Sequence, residues 1–233
     1  MERARRRTAK SGMLRRSLFV LLSFVACRGD VQSPGPPPSF HRILVLGNSL
    51  TLHPPSPSIG WTGNWGMAAS AAANDYAHVL AARIPGAALE AVNISALETD
   101  PAHFDPASID SSLARSPDLV VVELGDNATD VNAFHSAYAA LVTHIAARRS
   151  ATILCMSTWW HSAAMDHAIH DATTTAGTLY ADIGGLYGDP VDRASAERSF
   201  QDPSIGIHPG DIGMRRIADV LVFVLTNGSR AAP

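Results

Sequence analysis

With two cysteines in 233 residues, the chain has no means of building a disulfide framework or an all-cysteine zinc site. Charge is also scarce: 17% of residues are charged and the formal net charge is −3, without the basic excess of a general nucleic-acid binder. No apolar run approaches the roughly 20 residues that a membrane-spanning helix needs. Aromatics make up only 6% of the chain, which makes any clustering of them informative. What is plentiful is aliphatic material. At 46% hydrophobic residues the chain can fill a real core and is too apolar to be mainly disordered.

The few positive charges are unevenly spread. Seven of the 18 basic residues fall in positions 1–16, followed by an apolar run of about ten residues, Ser17–Ala26, and then Cys27. A basic stretch ahead of a short apolar run reads as a secretory signal. The cysteine directly after Val25-Ala26 resembles a bacterial lipobox, so residues 1–27 are expected to be a signal peptide with Cys27 as the lipidated mature N-terminus; Phe24 stands where leucine is usual. Residues 28–40 (RGDVQSPGPPPSF) are rich in proline, glycine and serine and read as a tether. Without positions 1–27 the chain holds 11 basic and 20 acidic residues, a net charge of −9. Such a chain is expected to be extracytoplasmic, to touch a membrane only through its lipid, and to bind no nucleic acid.

From residue 41 to 228, ahead of a short tail at 229–233, strand-like and helix-like patterns alternate. Ile43–Leu46, Leu89–Ile94, Leu119–Leu124, Thr152–Met156 and Thr178–Ile183 read as strands. Tyr76–Ile84, Val131–Arg149, Ala163–Ala172 and Ile212–Leu225 read as helices. Continuous apolar runs point to strands covered on both faces, as in parallel sheets. The alternation predicts an α/β domain whose ligand site lies beyond the carboxyl ends of the strands.

Three segments at that edge carry chemistry. Gly47-Asn48-Ser49 after the first strand places a hydroxyl on a tight turn, although serine is equally a common helix cap. Gly125-Asp126-Asn127 after the third offers a side-chain N–H₂ donor, or a plain turn. Gly206-Ile207-His208-Pro209 before the last helix offers a base. Taken in this order over residues 41–226, the three resemble the SGNH (GDSL-like) hydrolase superfamily. The resemblance implies a flavodoxin-like three-layer α/β/α sandwich on a mainly parallel five-stranded sheet. It implies Ser49 as nucleophile, His208 as general base, and Asn127 with the Ser49 N–H as oxyanion donors, with no cofactor or metal.

Two departures accompany the resemblance. The family's acid lies three residues before its histidine, where this chain has Ile205; Asp202 is the nearest upstream candidate, and a backbone carbonyl is the alternative. The family's glycine after the second strand is missing from Asn93-Ile-Ser-Ala-Leu-Glu98, so the N–H of Ala96, or of Leu97, is the candidate third donor. Glu98 is a candidate substrate contact or orienting carboxylate, or simply a loop acid. The loop His53–Met67 carries Trp61 and Trp65, which suit sugar stacking or, equally, anchoring of the loop. Trp159 and Trp160 fall at the same edge. His161, His167 and His170 lack a metal-binding motif such as HExxH, and no metal is expected. The expected activity is hydrolysis of small acyl esters, acetyl above all, on a small molecule or glycan. A glycan-binding domain without turnover and a lipase or thioesterase for longer chains are the alternatives.

Overall fold

The computed structural model describes residues 39–148 and 150–228; the signal, Cys27 and nearly all of the tether lie outside them, as does the tail. Five strands form the sheet: β1 (Arg42–Gly47), β2 (Ala88–Asn93), β3 (Leu119–Glu123), β4 (Thr152–Met156) and β5 (Leu179–Ala181). All pair in parallel, in the order β2-β1-β3-β4-β5. The helices are α1 (Tyr76–Ala82), α2 (Ala96–Thr99), α3 (Asp110–Leu113), α4 (Val131–Arg148), α5 (Ala163–Ala176), α6 (Pro203–Gly206) and α7 (Asp211–Asn227).

Successive strand residues point to opposite faces, so each apolar run serves two cores. Ile43, Val45, Val121 and Leu154 pack with α1 and α7. Leu44, Leu46, Val120, Val122 and Cys155 pack with α4 and α5. The last helix shows the matching 3.6-residue stripe, burying Met214, Ile217, Ala218, Leu221 and Val224. Helices thus cover both faces of a five-stranded parallel sheet, the expected three-layer α/β/α architecture.

The differences from the sequence reading lie at element ends. The fifth strand is three residues rather than six, because it is an edge strand and meets only Leu154, Cys155 and Met156. The fifth helix runs on to Ala176 and stops where Gly177 turns left-handed at φ 66°. The one-turn helices α2, α3 and α6 have no periodicity to betray them, being shorter than an amphipathic repeat.

Leu154 is fully buried at the centre of this core, on a strand paired on both sides. Leu154→Ala should therefore cost about 2–5 kcal/mol. Urea unfolding followed by circular dichroism should show a lower midpoint at unchanged slope.

Candidate active site

The register of the sheet assembles the site. Gly47, at the end of β1, is level with Asn93 on β2 and Glu123 on β3, so three turns leave the sheet side by side. A Cβ on Gly47 would stand 2.1 Å from Thr51 Oγ1 and 2.6 Å from Glu123 Oε2, so only glycine lets the turn sit this close to β3. Within the turn nearly every N–H is committed. Asn48 N donates to Glu123 Oε2 (3.2 Å), Leu50 N to Asn48 Oδ1 (2.9 Å), and Thr51 and Leu52 N to the Asn48 carbonyl. None of these bonds uses the N–H of Ser49 itself.

His208 arrives from the other end of the chain. Its loop is tied to the segment before α6 through Ala194 N, which donates to the His208 carbonyl, while the Glu197 carboxylate caps the first N–H groups of α7. His208 Nε2 lies 3.1 Å from Ser49 Oγ, and Nδ1 lies 3.0 Å from the Ser204 carbonyl. A carbonyl only accepts, so Nδ1 carries the proton and Nε2 presents its lone pair to the serine hydroxyl. The ring is 8% exposed and meets Trp160 edge-to-face at 5.1 Å. Burial pushes the imidazole pKa down to about 4, against the opposing pull of the backbone at Ser204 and Ile205. His208 is accordingly a neutral base over most of the pH range.

Asp202 is not the group that orients this ring. Its carboxylate is the N-cap of α6, accepting from Ser204 N at 2.8 Å, and the resulting turn is what brings the Ser204 carbonyl to Nδ1. The backbone-carbonyl alternative is therefore the arrangement present at Nδ1. No sequence signal marks such a carbonyl, because every residue has one.

Asn127 lines the cavity together with Ser49 and His208. Its Nδ2 donates to Glu98 Oε2 at 2.8 Å. Glu98 is 3% exposed and takes hydrogen bonds from Asn48, Gly125 and Asn127. It is thus sealed beneath the site and is not a substrate contact. Ala96 is exposed on α2, outside the cavity; its neighbour Ser95 lines it instead, with its N–H held by Asn93 Oδ1.

Trp61 and Trp65 likewise face inward. They pack edge-to-face on each other at 5.6 Å, and their Nε1–H groups donate to the carbonyls of His53 and Ala69. Both indoles pin the loop, Trp61 buried and Trp65 half-buried, each with its single donor satisfied. The loop lends His53, Pro54, Ile59 and Met67 to the cavity in their place. Trp159 is buried with its Nε1 on the Ile207 carbonyl, and Trp160 is the residue that walls the base. His161 pairs with Asp166, and the His170 ring meets Tyr180.

The cavity measures about 640 Å³. A second, of about 460 Å³, opens beside Phe40, Thr152 and Leu179, toward the starts of β4 and β5, and has no titratable group among the described residues that line it.

No protein-family model matches the chain, and no curated protein matches it. Solved structures do. LAE5, an α/β hydrolase enzyme from the metagenome of Lake Arreo, Spain, is 15% identical at a TM-score of 0.53, covering 82% of this chain and 96% of that one. A GDSL-like lipase structure from Parabacteroides merdae gives 13% and 0.55, over 83% and 98%. A two-domain esterase active on acetylated mannans, co-crystallised with mannopentaose, gives 18% and 0.55, over 83% of this chain but only 52% of its own length. The fold is that of the GDSL-type hydrolases. On that GDSL-type fold, the Ser49 turn, the Asn127 turn and the His208 loop meet at one sheet edge.

The proton placement is open to direct test. The His208 ring should titrate at about pH 4 in NMR spectra, and a midpoint at the ordinary imidazole value would overturn the placement.

Proposed function

We propose that the protein is a serine hydrolase of carboxylic esters. The observation that carries this is the 3.1 Å contact between Ser49 Oγ and an Nε2 with no proton, in a cavity lined by Asn127. Ser49 Oγ attacks the ester carbonyl carbon as its proton passes to Nε2. The carbonyl electrons move onto oxygen, which meets the second N–H of Asn127 Nδ2 and the uncommitted N–H of Ser49. Collapse expels the alcohol, which takes the proton from Nε2. Water activated by His208 then releases the acid and restores Ser49.

The substrate we infer is a small acyl ester, acetyl above all, on a carbohydrate. Supporting it is the polar face of the cavity, where Asn93, Ser95, Thr99 and Ser204 stand around the dyad as hydroxyl and amide partners for a polyol. The likeness of fold to an esterase active on acetylated mannans agrees with it. We further propose that Cys27 is lipidated, which would hold the domain at an extracytoplasmic membrane surface.

Hydrolysis of p-nitrophenyl acetate tests the reaction. Ser49→Ala should lower kcat by about 10³-fold or more; equal rates from variant and wild type would leave a binding domain. A series of longer acyl chains should show falling kcat/KM, and a rise with length would make the protein a lipase. Because His208 must be neutral to act, kcat/KM should hold as pH falls and be lost through about pH 4. An acid limb near the ordinary imidazole value would overturn the buried-base assignment.

A further inference from the structure

Glu98 is the most heavily bonded side chain at the site, yet it is shut away from substrate. Its Oε1 accepts from Gly125 N at 2.6 Å, Asn48 Nδ2 at 3.1 Å and Asn127 N at 3.3 Å, and its Oε2 accepts from Asn127 Nδ2 at 2.8 Å. All four partners are donors. They come from two turns, the one that carries the nucleophile and the one that carries the oxyanion donor, while Glu98 itself sits on α2 after the second strand. A carboxylate only accepts, so it suits this set in a way that an amide of the same shape cannot. Sealing a carboxylate in the interior is costly unless every such bond is made.

We propose that Glu98 is the positioning residue of the oxyanion site. It locks the Asn127 amide so that one Nδ2 hydrogen is spent on Oε2 and the other is aimed into the cavity, and it ties that turn to the nucleophile turn through Asn48. In this chain the strand-two loop thus contributes a buried clamp beneath the oxyanion donors. The backbone positions of Gly125 and Asn127 are held by the same oxygen, so the donor's main chain and side chain are fixed together. A side-chain donor fixed in this way needs no reorganisation when charge develops on the substrate oxygen. The inference rests on the hydrolase reading above.

The test is Glu98→Gln, which keeps the volume but must set an N–H₂ against one group of donors whichever way it turns. On p-nitrophenyl acetate kcat should fall by about 10- to 100-fold with KM within about twofold, the pattern of an interaction made only in the transition state. In an Asn127→Ala background the same substitution should cost less than about threefold, because the group it positions is gone. Equal losses in the two backgrounds, or no loss in either, would overturn the proposal. A second measurement uses the unaltered protein and holds even if Glu98→Gln does not fold. By ¹⁵N NMR, one Asn127 side-chain amide proton should be protected from exchange and the other should exchange freely; two freely exchanging protons would overturn the clamp. This readout needs no turnover, so it stands or falls separately from the esterase reading, which Ser49→Ala decides.

Discussion

The alignment of Gly47 between Asn93 and Glu123 is the constraint on which the rest of the site depends. The chain leaves β1 for one side of the sheet, forms β2, and crosses back to form β3 on the other side. The turns after β1 and β3 therefore diverge at the topological switch point, where open parallel sheets leave a crevice. A shift of one residue in the β1–β3 pairing would turn Glu123 and its neighbours to the opposite face. The bond from Asn48 N to Glu123, and with it the height of Ser49 above the sheet, would be lost. The absent Cβ of Gly47 serves the same end by letting the Ser49 turn lie flush against β3.

Burial then decides the electrostatics. Three carboxyl groups, Glu98, Glu123 and Asp126, lie beneath the turns. Glu123 is raised well above the usual carboxylate range, first by burial and then by its two acidic neighbours. Asp126 is pushed up to about 6, again mainly by burial, while its Oδ1 holds the N–H of Trp160. Trp160 in turn walls His208, whose pKa burial moves the other way. A carboxylate at Nδ1 would have opposed that downward shift by stabilising the imidazolium; the Ser204 carbonyl fixes the tautomer with a dipole alone. The imidazole is thus biased toward its neutral form.

The tryptophan loop shows how one feature serves another purpose from the one its composition suggests. Proline- and glycine-rich, it has no periodicity to give it a secondary structure, and its two indoles anchor it by packing on each other and on Met67, Ala68, Ala194 and Ile205. With the loop pinned, His53 and Met67 are carried to the cavity without belonging to any helix or strand.

What the sequence determined by itself is what depends on local pattern. Continuous apolar runs imply buried parallel strands, and a 3.6-residue stripe implies a helix on one face of the sheet. Residues placed directly after strands fall at one edge, which brings Ser49 and Asn127 to one cavity, while His208 reaches it from the loop before the last helix. Which neighbours Asp202, Ala96, Glu98, Trp61 and Trp65 meet is visible only in three dimensions. Asp202 spends its carboxylate on the α6 cap, and Glu98 answers four donors from two turns separated by some 75 residues. Composition cannot distinguish a tryptophan that stacks on a ligand from one that anchors a loop, because the residue type is the same and only its burial differs. Long-range hydrogen bonds and burial are properties of the packed chain, so they became readable only when the sheet had brought distant turns together.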